Sequence, residues 1–126
     1  MPLIRITLQQ GKNQKYLQDL GDGIHEALME TWGIPKDDRF HVFDEKKIEH
    51  FDIDREIWDI KRSDDVLIIQ ITTSPRTKEM KLALFQLLPK ILQEKINHRP
   101  EDVFINIVTS NKEDWSFGNG KAQLLD

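Results

Sequence analysis

The chain repeats itself at half its length. Pro35 and Pro100 lie 100 − 35 = 65 positions apart, and the same offset, without a gap, pairs Leu3 with Ile68, Ile4 with Ile69, Ile6 with Ile71 and Thr7 with Thr72. It also pairs Leu17 with Leu82, Leu20 with Phe85, Asp37 with Asp102 and Val42 with Ile107. A signal that recurs near half of a 126-residue chain reads as two copies of one supersecondary unit. The length suits one domain over residues 1–126, with halves at about 1–43 and 66–126 and a linker over 44–65.

Each half reads as strand, helix, strand. Ile4, Ile6 and Leu8 alternate with Arg5 and Thr7, the period of a half-buried strand. Asn13 to Trp32 carries Tyr16, Leu17, Leu20, Ile24, Ala27, Leu28 and Trp32 at helical spacing, and Gly33-Ile34-Pro35 ends it. Arg39 to Phe43 is the second strand. Val66 to Thr72 is a strongly apolar third strand, Thr77 to Ile96 a helix and Val103 to Val108 a fourth strand. Pro89 removes a hydrogen bond inside the second helix and is expected to kink it. The linker is charged, with a short hairpin expected around Phe51 to Ile60.

A strand–helix–strand crossover joins parallel neighbours right-handedly. Two such units pair about a pseudo-twofold axis into an α+β fold, a four-stranded mixed sheet with both helices on one face. The other face is expected to carry Leu3, Leu67 and Ile69, and an uncovered apolar face implies a partner subunit. Homo-oligomerisation follows as an expectation.

Composition removes several function classes. The net charge of −4 comes without a basic stripe, which argues against nucleic acid as a partner. There is no cysteine, so disulfides and thiolate chemistry are absent. No apolar run approaches the roughly 20 residues a bilayer demands, and the start Met1-Pro2-Leu3-Ile4-Arg5-Ile6-Thr7 lacks a secretory signal. A cytoplasmic protein without membrane association is the expectation. His25, His41, His50 and His98 have no metal-ligand spacing, and His41, in a strand, reads as a surface or hydrogen-bonded histidine. Asp52, Asp54, Asp64 and Asp65 read as solvated turns, and Gly118-Asn119-Gly120 as a turn. No metal or cofactor site is expected.

The topology makes a claim about proximity. Pro2 and Asp38 lie where the parallel first and second strands begin. The inverted second unit ends its strands at that same edge, bringing Ser74-Pro75-Arg76 and Asp114-Trp115-Ser116-Phe117 there. An α-amino group titrates near 8 in isolation, and burial or a nearby cation lowers that value. Freed by loss of Met1, the Pro2 amine could act as a general base or acid near neutral pH. A retained Met1 would make that nitrogen an amide. Arg76 offers a planar fork of donors for a substrate carboxylate. Asp38 could hold water or accept a proton, and Trp115 and Phe117 would exclude water. Each also has a plainer reading: Asp38 as a loop cap, Arg76 as a surface cation, Trp115 and Phe117 as core.

The starting proline, Ile34-Pro35-Lys36-Asp37-Asp38-Arg39-Phe40, Ser74-Pro75-Arg76 and Asp114-Trp115-Ser116-Phe117-Gly118-Asn119-Gly120 together resemble the tautomerase superfamily, most of all its malonate semialdehyde decarboxylase branch. The resemblance implies a β-α-β repeat, a homotrimer, and Pro2 as the catalytic amine. It further implies that Asp38 orients water, that Arg76 binds substrate, and that Trp115 and Phe117 form the pocket wall. Leu124 stands where an aromatic is found in that branch. An Arg-Pro-Arg arrangement in the branch is here Ser74-Pro75-Arg76, so one cation is missing at Ser74.

The expected function is cofactor-free tautomerisation of small carboxylated keto–enol compounds, such as phenylenolpyruvate. The alternatives are lyase or hydratase chemistry on a 3-oxo acid with a cationic Pro2, and a non-catalytic trimeric binding protein.

Overall fold

In the computed structural model, which describes residues 1–126, the elements follow one another as β1 (Pro2–Gln9), α1 (Gln14–Trp32), β2 (His41–Lys46), β3 (Leu67–Thr73), α2 (Lys78–Ile96) and β4 (Val103–Thr109). Both helices start on a side-chain cap. Asn13 Oδ1 accepts the Tyr16 amide at 2.8 Å, and Thr77 Oγ1 accepts the Met80 amide at 3.1 Å, each satisfying a donor that has no partner within the helix. Gly33 (φ 67°) closes α1 in the left-handed region and Asn97 (φ 53°) does the same for α2. α2 runs through Pro89 as one element.

The sheet order is β2-β1-β3-β4. β1 runs parallel to β2, β3 parallel to β4, and the central β1–β3 pair is antiparallel. Arg5 pairs with Gln70 while Ile4 pairs with Ile71 and Ile6 with Ile69, so the pseudo-twofold axis passes through the Arg5–Gln70 pair. The expected α+β architecture is the observed one.

The repeat itself is offset by two values rather than one. Ile4 and Ile6 match Ile69 and Ile71 at 65, but the helices, Gln14–Trp32 and Lys78–Ile96, match at 78 − 14 = 64. At that offset Leu20, Ile24 and Leu28 fall on Leu84, Leu88 and Leu92, all essentially inaccessible. Ile4 pairs with His41 and Ile69 with Ile105, so Phe43, not Val42, is the counterpart of Ile107. One residue is missing from the second half between strand and helix. The gapless offset misassigned the helix faces because leucine recurs often enough there to match at either spacing.

The core lies between the helix pair and one sheet face, built from Ile4, Ile6, Leu8, Ile69 and Ile71 below and Leu20, Ile24, Leu28, Leu84, Leu88 and Leu92 above. Leu67 and Ile69 belong to this buried face, which corrects their expected place on the open one; they are 1% and 0% exposed. Strand alternation decides it, since they share parity with Ile71 and pair across to Val103 and Ile105. The open face carries Leu3, Val42, Phe104 and Val108, each more than 40% exposed, with Arg5, Gln70 and Thr72 among them.

The linker holds two short 3₁₀ turns, Ile48–His50 and Ile57–Asp59, rather than a hairpin. Asp54 Oδ1 accepts the amides of Glu56 and Ile57 at 2.8 and 2.7 Å, a local capping arrangement that competes with strand pairing. β2 starts at His41 instead of Arg39 and extends to Lys46, beyond the expected Phe43. Buried Asp102 anchors the far end of the linker by accepting the Ser63 amide (2.7 Å) and hydroxyl (2.5 Å). No helix is long and apolar enough to cross a membrane. No group of three or more histidine, aspartate or glutamate side chains is placed to hold a metal ion.

Candidate active site

Strand register gathers the start of β1 with the ends of β3 and β4. Pro2 pairs with Thr73, Thr73 pairs with Thr109, and the Thr73 carbonyl accepts the Ser110 amide at 2.8 Å. On the other side the Ile4 amide donates to the Phe40 carbonyl at 2.9 Å, bringing the segment before β2 to the same edge. The expected convergence of Pro2, Asp38, Ser74–Arg76 and Asp114–Phe117 therefore follows from the pairing pattern.

A cavity of about 280 Å³ opens beside Pro2, lined by Met1, Pro2, Leu3, Phe40, Trp115, Ser116 and Phe117. Its aromatic wall is continuous: Trp115 stacks on Phe117 at 5.6 Å between ring centroids, and Phe117 on Phe40 at 6.5 Å. Local hydrogen bonds shape that wall. The Trp115 indole donates to Ser110 Oγ at 2.7 Å, and Ser110 Oγ donates to the Thr73 carbonyl at 3.1 Å. Gly118, Asn119 and Gly120 all take positive φ, the expected turn, and Gln123 closes it by accepting the Phe117 amide and donating to the Gly118 carbonyl. Asp114 accepts the Asn111 amide in a capping box that fixes the approach to Trp115.

The chain-start amine, here carried by Met1, lies 4.0 Å from Asp38 Oδ2. Burial lowers its pKa below 8.0, Asp38 opposes that shift, and the Arg76 charge adds to it. The Asp38 side chain is 9% exposed, and its other oxygen, Oδ1, is buried without a hydrogen-bond partner. A carboxylate oxygen left bare in this way costs free energy unless something occupies its lone pairs. The turn Pro35–Asp38, closed by the Asp38 amide on the Pro35 carbonyl, carries it there directly after the Gly33 cap.

Arg76 stands across the strand ends. Its Nε donates to Thr73 Oγ1 at 3.2 Å, and its guanidinium lies over the Trp32 ring, 5.1 Å from the centroid. Burial pulls the guanidinium pKa down from its ordinary value while Asp38 opposes. Neither Asp38 nor Arg76 lines the aromatic cavity; both bear electrostatically on the amine at its mouth. Ser74 is half-buried and accepts the Thr73 hydroxyl through its carbonyl. Leu124, half-buried in the 3₁₀ turn Gln123–Leu125, lies outside the cavity lining. The residues not anticipated from the sequence are Leu3 and Phe40 in the wall, Thr73 and Ser110 behind it, and Trp32 under the Arg76 guanidinium. Phe40 was reachable from the register of β2 against β1, and Thr73 and Ser110 from being polar where apolar strands end.

His41 corrects another expectation. The residue is half-buried rather than on the open surface, and it is not hydrogen-bonded: both ring nitrogens are buried without partners, on the helix-facing side of β2. Burial, with help from Arg39 and His25 and opposition from Asp22, lowers its pKa from 6.5 to about 4. His25, 5% exposed, is satisfied by the Lys36 carbonyl at 2.7 Å, and His98 by the Asp102 carbonyl at 3.1 Å.

Two family descriptions match the chain, each reading tautomerase enzyme, one over residues 2–59 and the other over residues 38–118. The chain is 35% identical to the probable tautomerase YusQ of Bacillus subtilis (strain 168), over 100% of both chains. Among solved structures it resembles a malonate semialdehyde decarboxylase described for its decarboxylase and hydratase activities, with a TM-score of 0.93 and 27% identity over 98% of this chain and 95% of that one. It also resembles FG41 malonate semialdehyde decarboxylase inhibited by 3-bromopropiolate, with a TM-score of 0.90 and 33% identity over 98% and 94% of the two chains. With two profiles and a full-length relative in agreement over the strands and loops that form this site, the chain belongs to the tautomerase family.

Proposed function

We propose that this chain, once Met1 is removed, is a cofactor-free tautomerase of small carboxylated keto–enol compounds, with the Pro2 amine moving the proton. The observation that carries the reading is the chain-start amine at the mouth of an aromatic cavity, with its pKa lowered by burial and under the fields of both Asp38 and Arg76. Removal of Met1 transfers the free amine to Pro2, which lines the same cavity. Any lowering of an amine's pKa by burial and by a neighbouring cation enlarges its unprotonated fraction, the form a general base requires. Arg76 holds the substrate carboxylate, and the apolar remainder lies against Trp115, Phe117 and Phe40. Pro2 nitrogen takes the enol hydroxyl proton as the carbonyl forms, and returns it to the adjacent carbon as the C=C electron pair closes on it. Trp115 and Phe117 keep bulk water from competing for that proton.

A second reading is favoured by Asp38. Its unpartnered buried oxygen suits a bound water, and the likeness to two malonate semialdehyde decarboxylases points to 3-oxo acids. In that reaction Pro2 is cationic and polarises the carbonyl, while Asp38 positions water or assists loss of carbon dioxide. Ser74 leaves this chain one cation short of an Arg-Pro-Arg arrangement, which favours the tautomerase reading.

A homotrimer is proposed with either chemistry. Leu3, Val42, Phe104 and Val108 leave an apolar sheet face that a second copy can cover. The test compares wild type, Pro2→Ala and Arg76→Ala on a panel of enol acids and 3-oxo acids. Turnover lost by both variants on one class identifies the reaction; undiminished turnover by Pro2→Ala on every substrate rejects both.

A further inference from the structure

Arg76 is held from two sides by groups that do not themselves reach the cavity. Thr73, fully buried, accepts Arg76 Nε–H on its hydroxyl oxygen at 3.2 Å. The Thr73 hydroxyl hydrogen is committed to the Ser74 carbonyl at 3.0 Å, which turns its lone pairs toward Arg76. Trp32, 5% exposed, supports the guanidinium with its ring face, 5.1 Å from centroid to guanidinium carbon. The ring cannot rotate freely, because its Nε1–H donates to the Met80 carbonyl in the first turn of α2 at 2.9 Å. No carboxylate comes within ion-pair distance of Arg76, and its two Nη groups have no protein partner.

A guanidinium receives a carboxylate either side-on, through Nε and one Nη, or end-on, through both Nη groups. With Nε occupied, only the end-on edge is open. We propose that Thr73 and Trp32 are positioning residues that fix Arg76 so that its two Nη groups meet the substrate carboxylate end-on. The proposal rests on the reading of this site as a carboxylate pocket. It explains how one cation can suffice where Ser74 supplies none: a guanidinium already oriented gives up little freedom on binding. Thr73 also sets the distance from cation to wall and amine. Its carbonyl carries Ser110 and through it Trp115, and it lies opposite Pro2 in the strand pairing.

The test measures binding of 3-phenylpropanoate against its neutral amide, 3-phenylpropanamide, by calorimetry on the processed full chain. Loosening of the wall would weaken both probes alike, whereas misdirection of Arg76 weakens only the carboxylate. Thr73→Val and Trp32→Leu are each expected to reduce carboxylate-over-amide discrimination about tenfold, the scale of a hydrogen bond to a charged group. Thr73→Ser and Trp32→Phe, which keep the hydroxyl and a ring face, are expected to retain it within about threefold. Unchanged discrimination in Thr73→Val and Trp32→Leu, with Arg76→Ala abolishing it, overturns the positioning role. Unchanged discrimination in Arg76→Ala instead overturns the carboxylate-pocket reading. If the two truncating variants do not fold, the wild-type complex with 3-phenylpropanoate decides. A carboxylate on both Nη groups with the Thr73 bond intact supports the proposal; one straddling Nε with that bond broken refutes it.

Discussion

His41 makes the stability of this fold sensitive to mild acid. Its ring nitrogens are sealed between β2 and α1 without a partner, and its pKa falls from 6.5 to about 4. Arg39 and His25 disfavour a proton there, and Asp22 only partly offsets them. The Gly21 backbone closes the space overhead: a Cβ at that position would lie 3.3 Å from His41 Nδ1. As pH falls through 6.5 the unfolded chain takes up a proton that the folded chain refuses until about 4. Stability contributed by neutral His41 is therefore complete above 6.5 and lost on acidification. At about 1.4 kcal/mol for each pH unit, the loss is about 1.4 kcal/mol at pH 5.5 and about 2.5 kcal/mol at pH 4.5. Carboxylates titrate in the same range, so the measurement is a difference. Urea unfolding of wild type and His41→Phe at pH 7.5, 5.5 and 4.5, at fixed protein concentration, isolates the histidine. The wild-type curve is expected to fall more steeply, by about 2.5 kcal/mol between the end points. Parallel curves for the two proteins would contradict this, because the imidazole would then titrate alike in both states.

Other consequences follow from single contacts. Gly23 lets α1 approach α2, since an added Cβ would meet Leu92 Cδ2 at 2.9 Å in the core. Gly23→Ala is expected to lower stability in a urea titration by about 1 kcal/mol net, although alanine raises helix propensity by about that much. Asp102→Ala leaves the Ser63 amide and hydroxyl and the Arg99 guanidinium without their acceptor, and a loss of about 3 kcal/mol is expected in thermal or urea unfolding. Asp38 raises and Arg76 lowers the pKa of the chain-start amine. NMR titration of processed Asp38→Asn is therefore expected to give a lower amine pKa than wild type, and Arg76→Ala a higher one.

Much of this architecture is legible in the sequence because the strands alternate cleanly. Ile4, Ile6 and Leu8, and Ile69 and Ile71, mark the buried face without help. Gly33-Ile34-Pro35 marks the end of α1 locally, whereas Asn13 and Thr77, expected as the first helical residues, are caps in the structure. Register was harder. Leu17 with Leu82 is as plausible a pair on paper as Leu20 with Leu84, and only packing distinguishes the buried row. Leu67 illustrates the same difficulty, since a one-residue slip along a strand moves a side chain from one face to the other. The linker departs from the expected hairpin for a different reason: Asp54 satisfies amides locally, so apolar residues from Phe51 to Ile60 form turns without pairing as strands. In the site, Asp38 and Arg76 stand out as charges near strand ends. Thr73, Ser110 and Trp32 do not, because their importance lies in hydrogen bonds and stacking between segments remote in the chain.

Proton transfer in this site depends on the processed Pro2 amine. The most direct measurement is kcat/KM for ketonisation of phenylenolpyruvate by Pro2→Ala against wild type, with Met1 removal verified by mass. A loss of at least about 100-fold is expected, the lower end of what a positioned acid–base group contributes. Activity within about twofold of wild type, below any such contribution, would contradict it.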